Sequence, residues 1–302
     1  MSIRFYSALA AAPALVCAGS TPRAAYAHTV CGSRVFPATH GIDDPGVGDE
    51  IALPTIAYLP GNGDGVNEAD ISFSYTKTIF PGFGLSISNG ATFLNGQGWG
   101  RSDLGLGAKY NFFCIPQAEF MGSIGLNADI GKTYTNGMGA DFNTYSPTLN
   151  AALGFGGLPK SLNILRPIAL TTEFSEDVPD RLWTNGVQNA YNFNWGFAIQ
   201  YSLPYFNANV AQIDNAFLKR LIPITEFTFS RLVANFAGPA VTTGTIQPGV
   251  IYAADAWQFA LDAVLPINAA SGRGVGGVGE LHFYLDDLMP ETLGKPIFGG
   301  KR

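Results

Sequence analysis

Between Ser102 and Gly131, two runs of alternating residues meet at a tight polar turn. Leu104, Leu106, Ala108, Tyr110 and Phe112 alternate with Asp103, Gly105, Gly107, Lys109 and Asn111, a period of two that specifies a strand. Beyond Cys114-Ile115-Pro116-Gln117 the pattern restarts. Phe120, Ile124, Leu126, Ala128 and Ile130 lie on one face, opposite Glu119, Ser123, Asn127 and Asp129. Together the runs predict an antiparallel hairpin with arms of about 13 residues. Rising ~3.3 Å per residue and tilted near 45°, each arm spans roughly 30 Å, the thickness of a hydrocarbon layer. An ordinary soluble strand is about half as long.

The same alternation predicts strands at 51–59, 69–80, 83–94, 102–114, 118–131, 145–157, 163–175, 190–203, 221–231, 244–254, 256–266 and 274–287. That is roughly 12, an even number, as in bacterial single-chain membrane barrels. Tyr191, Phe193, Trp195, Phe197, Ile199, Tyr201 and Leu203 form one large apolar face, opposed by Asn192, Asn194, Gly196, Ala198, Gln200 and Ser202. Such a strand fits a wall between lipid and a wet lumen. Connections alternate between tight ones, such as Pro81-Gly82, and longer Gly-, Asn- and Asp-rich ones, as expected for periplasmic turns and outer loops. Val210, Ile213, Phe217 and Leu221 recur at helical spacing and predict a short helix within 207–220, under the barrel. The expected fold is therefore an all-β, antiparallel transmembrane barrel over 51–288 with a short periplasmic helix. An irregular periplasmic arm (28–50) precedes it and a tail (289–302) follows.

Composition narrows the picture. Charged residues make up only 13% of the 302, against about 25% in soluble domains, so part of the surface faces a solvent other than water. No run reaches the ~18 apolar residues of a membrane helix, which leaves a closed barrel as the way to span a bilayer. Arg4, the apolar stretch Phe5–Ala18 and Ala25-Tyr26-Ala27 predict a secretory signal over 1–27, and hence an outer-membrane destination among lipid and lipopolysaccharide. Net charge is −6 and no Lys/Arg cluster is present, which argues against nucleic acid.

The alternation places Asp70, Asp103, Glu119, Asp129, Glu173, Glu226, Asp262 and Glu280 on the lumen face, against Lys109. Eight acids to one base predict a lumen that concentrates cations. His282 falls on the same inward face, whereas a barrel phospholipase needs its Ser and His on the lipid-facing wall, so no catalytic residue is assigned. Cys and His spacing fits no metal site and no cofactor is expected. Gly272-Arg273-Gly274-Val275-Gly276-Gly277 and Gly154–Ser161 mimic nucleotide loops but sit between strands, and Pro159 removes an amide donor from the second. Asp64, Asn67 and Glu68 read as a solvated outer turn rather than a Ca²⁺ or lipopolysaccharide site. In the mature chain Cys31 and Cys114 fall on the same oxidising side, which predicts a disulfide between arm and barrel floor.

Val30-Cys31-Gly32-Ser33-Arg34-Val35-Phe36-Pro37, Asp43-Asp44-Pro45-Gly46, Pro248-Gly249, Trp257-Gln258, Leu265-Pro266 and Leu285-Asp286-Asp287 span most of the mature chain. In these marks the chain resembles the "MetA-pathway of phenol degradation" group of outer-membrane barrels. The resemblance implies an outer-membrane, channel-like protein for small solutes, with aromatic or apolar compounds as candidates. The alternatives are a structural or adhesive barrel closed by the arm, an outer-membrane lipid hydrolase, and a secreted soluble sandwich. Oligomeric state is not legible in the sequence.

Overall fold

A computed structural model of the chain describes residues 29–299, so the expected signal at 1–27 lies outside the described residues. Twelve long strands close into one antiparallel barrel. They are β1 (Glu50–Leu59), β2 (Glu68–Phe80), β3 (Phe83–Leu94), β4 (Leu104–Ile115), β5 (Phe120–Ile130) and β6 (Thr144–Gly154). The second half comprises β7 (Ile168–Pro179), β8 (Tyr191–Tyr201), β9 (Leu221–Ala234), β10 (Thr242–Ala253), β11 (Trp257–Pro266) and β12 (Gly276–Tyr284). Each pairs with its neighbours in sequence, and β12 returns to β1, with Val278 opposite Ala57. Closure leaves no open edge, the condition for a sheet within lipid.

The two faces differ as the alternation requires. Ile71, Phe73, Leu85, Ile87, Leu106, Ile124, Leu126, Leu149, Phe174, Ile199, Phe259 and Leu261 all point outward and are exposed. Ser123, Asn150, Gln200, Glu226, Gln247, Gln258, Asp262 and Glu280 point inward and are buried. Aromatic rings gather near the short-turn end, where Phe80 stacks on Phe83, and Tyr252 lies between Phe217 and Trp257. A second group at the long-loop end includes Tyr58, Tyr145 and Phe93 against Trp99. An apolar band between aromatic girdles is the surface of a barrel seated in a bilayer, and the protein is a bacterial outer-membrane barrel. No helix among the described residues is long and apolar enough to cross a membrane.

Most strand positions agree with the alternation to within a few residues, but the strand expected at 163–175 runs instead over Ile168–Pro179 because Lys160–Leu165 forms a 3₁₀ turn, and the expected helix is displaced. It runs over Leu203–Asn209 (α1), and 210–217 is irregular before a short 3₁₀ turn at Leu218–Arg220. The helix begins where it can be capped: Ser202 accepts a hydrogen bond from the Tyr205 amide, and Pro204 sits in the first turn, where its missing N–H costs nothing. Val210, Ile213 and Phe217 carry helical spacing without a cap. After β12, a single turn (α2, Leu285–Leu288) starts a tail that folds back under the barrel. The Ile297 and Phe298 amides donate to the Thr78 and Ile79 carbonyls, and Lys77 Nζ donates to the Leu293 and Lys295 carbonyls.

The arm departs most from expectation. It does not hang below the barrel. From a two-residue-turn hairpin at Thr29–Cys31 and Arg34–Phe36 it enters the lumen, follows the inner wall, and returns to the floor at Asp49.

Candidate functional site: the lumen and the arm docked in it

The base of the arm is fixed first. Gly32 turns the small hairpin at φ +69°, and a Cβ there would lie 2.2 Å from the Pro116 carbonyl oxygen. Cys31 bonds Cys114 beside it, with 5.9 Å between the Cα atoms. The 83-residue separation corresponds to about 4.5 kcal/mol of removed loop entropy. Arg34 is fully buried. Its guanidinium pairs with Glu119 at 3.1 Å, donates to the Pro167 carbonyl at 2.8 Å and to the Arg166 carbonyl, and lies 3.9 Å over the Tyr205 ring. Glu119 also accepts from Ser33 Oγ at 2.8 Å and the Gly156 amide at 3.0 Å.

Above this base the wall supplies one complementary group after another. Gln258 donates to the Ala38 carbonyl at 2.7 Å, and Glu226 accepts from the His40 amide at 3.3 Å and the Gly41 amide at 3.0 Å. His40 Nδ1 pairs with Asp262. Ile42 enters a buried apolar pocket of Ala198, Ile222, Ile224, Ile251 and Ala260, worth about 1.5–3 kcal/mol for a side chain of that size. Glu173 then accepts from the Asp43 amide at 2.8 Å. Lys109 pairs with Asp43 at 2.6 Å and donates to the Asp44 carbonyl at 2.8 Å; Asn111 donates to the Pro45 carbonyl at 3.1 Å. At the exit, Asp49 pairs with Lys77 at 2.7 Å and accepts from the Thr78 amide at 2.9 Å. Burial pushes the Asp44 carboxyl up to about 6 although Lys109 pulls it down, and Glu50 and Asp43 add to the rise.

Beyond the arm the lumen stays polar. A cavity of about 220 Å³ is lined by Thr39, Ser74, Ser86, Ser88, Lys109 and Asn127 among others. A second, of about 370 Å³, continues toward the outer loops along Ser72, Ser88, Asn89, Ser102, Asp103 and Asp129. Asp70 accepts from Thr92 at 2.6 Å, and Asp177 from Ser146 at 2.7 Å and Asn194 at 3.0 Å. Asp103 accepts from the Ala140 amide at 2.7 Å and so ties down an outer loop.

The structure therefore separates the sequence-assigned lumen residues into three groups. Lys109, Glu173, Glu226 and Asp262 face the arm at mid-height. Glu280 and His282 pair with each other at 3.1 Å, and His282 also meets Glu50 at 3.1 Å. Asp70, Asp103 and Asp129 remain near the outer mouth, where no ion pair to them is found among the described residues. Glu119 belongs to none of these. It occupies the left-handed position of the 116–119 turn, at φ 48°, and points into the floor against Arg34. The eight-to-one acid count is thus offset in part from the arm, by the Arg34 cation facing Glu119 and by His40 Nδ1 paired with Asp262, neither of which the alternation could supply. Sequence reading passed over these two, with Asp43, Asp44, Asp49 and Asp177. The signal was available in the arm, where one arginine, three aspartates and one glutamate stand in a stretch too short to form a core of its own.

No protein-family model and no curated protein matches the chain. Among solved structures, a NanC porin is similar at 8% identity and a TM-score of 0.48, covering 77% of this chain and 98% of its own. A KdgM porin matches at 11% identity and a TM-score of 0.46, covering 78% and 98%. LpxR from Salmonella typhimurium matches at 10% identity and a TM-score of 0.43, covering 78% and 99%. No solute, lipid or catalytic role passes from them to this chain.

Proposed function

We propose that the protein is a narrow outer-membrane channel for small polar solutes, with the docked arm setting its bore. One observation carries this reading: the hydroxyl-, amide- and carboxylate-lined cavity that runs from the outer mouth down to the arm. A barrel serving only as a structural wall has no use for a polar cavity of this kind. Its lining favours polar solutes over the aromatic or apolar compounds that the phenol-degradation resemblance implies. Asp70, Asp103, Asp129 and Asp177 hold a negative field at the mouth, which draws cations and neutral polar solutes in and turns anions away.

The arm is the second element of the reading. Its contacts are mostly single hydrogen bonds between wall side chains and arm backbone, each worth about 0.5–1.5 kcal/mol net. It is also tethered at the floor by Cys31–Cys114, so undocking does not lose it. Conductance of the folded protein in planar bilayers tests both elements. Wild type is expected to give small, cation-selective steps under a KCl gradient. Replacing residues 38–47 by an equally long Gly/Ser run is expected to enlarge them. Silence from both proteins, each shown to be folded and inserted, overturns the channel and leaves a structural barrel.

A further inference from the structure

His40, Glu226 and Asp262, which help to dock the arm, also bring three ligand-bearing side chains together. Each contributes one ligand atom, and the three atoms lie within 4.8 Å of one another. The residues come from three places, the arm, β9 and β11. They are not merely adjacent acids. The His40 side chain is 4% exposed and that of Asp262 2%, and each carries a buried polar atom without a partner, His40 Nε2 and Asp262 Oδ1. Unpartnered buried polar atoms are costly, and two of them in one cluster point to a missing ligand. The wall is shaped for this arrangement: β10 passes between the two acids, and opposite Asp262 it carries Gly249. A Cβ at 249 would lie 1.4 Å from Asp262 Oδ1, so the carboxylate occupies space that any other residue there would fill.

We propose that this cluster binds one divalent transition-metal ion, with Zn²⁺ the ion best suited to it. One imidazole and two carboxylates are an N/O donor set of borderline softness, and three protein ligands leave a fourth position for water. With bonds of ~2.0–2.2 Å, tetrahedral ligands stand about 3.3 Å apart, so small side-chain rotations from the present spacing close the site. The ion is held through the two unpartnered atoms, His40 Nε2 and Asp262 Oδ1, once the imidazole rotates off its Nδ1–Oδ2 contact, and a proton displaced from the ligating nitrogen leaves to solvent. Glu226 keeps its bonds to the His40 and Gly41 amides, which orient it as an outer shell orients a ligand. Because His40 is on the arm and both acids are on the wall, the bound ion fastens the arm inside the barrel. Metal binding does not depend on whether the barrel conducts.

The test uses the full mature chain, purified in detergent without a histidine tag, stripped with chelator and shown to be folded by heat-modifiable migration. Zn²⁺ is titrated calorimetrically, and Co²⁺ is followed by its visible ligand-field bands, which report four-coordinate geometry. Wild type is expected to bind one equivalent per chain. His40→Ala lies on the arm and leaves the barrel wall untouched; it and Asp262→Asn are each expected to weaken binding at least about 100-fold, more than the 10–100-fold typical of outer-shell losses. Absence of stoichiometric binding to the folded wild type overturns the proposal. Binding of unchanged stoichiometry and affinity in His40→Ala overturns it as well, since the ion then sits elsewhere.

Discussion

Replacing Arg34 by Met asks how firmly the base of the arm is held. The substitution keeps an unbranched, flexible apolar stem and removes the cation facing Glu119, whose side chain is only 4% exposed. Breaking a buried pair from one side costs about 3–5 kcal/mol, because the remaining charge is left uncompensated. Here Glu119 retains two acceptor bonds, from Ser33 and Gly156, while the Pro167 and Arg166 carbonyls lose their donor. A figure of about 3 kcal/mol follows, at the lower end of that range. At 1.4 kcal/mol per factor of ten, this is roughly a 100-fold rise in local opening. Hydrogen exchange of the 29–36 peptide, measured on the folded barrel in detergent, reads it directly. Glu119→Gln keeps the shape and still accepts hydrogen bonds, so its cost is smaller, about 1–2 kcal/mol. The double variant decides the matter. If the pair is the anchor, Arg34→Met with Glu119→Gln is no worse than Arg34→Met alone, a departure from additivity of at least about 1 kcal/mol. Exchange raised less than threefold by Arg34→Met, or two effects that simply add, refutes the argument.

Other consequences follow from the arm and the wall. Asp44 is pushed up to about 6 in the docked arm, against an ordinary 3.8, so the docked state holds its proton more tightly than the free one. Docking is therefore strongest below about pH 4 and weakens as pH rises towards about 6. The open fraction in bilayers should rise between pH 4 and 7, and Asp44→Asn should flatten that rise. Lys109→Met removes the cation opposite Asp43 and the donor to the Asp44 carbonyl, so it should loosen the arm by ~1–3 kcal/mol, seen as longer or larger conductance steps. Leu126→Arg puts a charge at the middle of the apolar band and should destabilise the folded barrel by about 2–4 kcal/mol, read as a lower denaturant midpoint; an unchanged midpoint would place that face outside the membrane.

How much was legible in the sequence depends on what enforces each feature. Strand register is enforced residue by residue, because each side chain on β8 must suit either lipid or lumen. Phe193, Ile199 and their neighbours could be assigned from alternation alone. Short turns and the Cys31–Cys114 pairing followed from topology, since the alternation fixes which ends meet. The helix was misplaced for a local reason: the amphipathic spacing of 210–221 outweighed the Ser202 cap with Pro204, although a cap fixes where a helix starts and spacing does not. The lumen pattern of Glu119 failed because one left-handed residue at a turn breaks the alternation and turns the side chain downward.

The arm's charges were visible but its path was not, because it has no period and no secondary structure above the hairpin, and its partners are distant in sequence, 222 residues away for His40 and Asp262. Physical reasoning about the wall still bears on it. Carboxylates at mid-height in a lumen this narrow are expensive unless something donates to them. Glu173 and Glu226 obtain that donation from arm amides, and Asp262 from an arm histidine. The same residues that first suggested a cation-concentrating pore are thus receptors for the chain's own backbone. The charge free to act on a solute lies higher, at Asp103, Asp129 and Asp177, so choice of solute belongs to the outer mouth and size of solute to the arm. The two are separable by experiment: neutralising the mouth should change reversal potential with little change in step size, and loosening the arm should do the reverse.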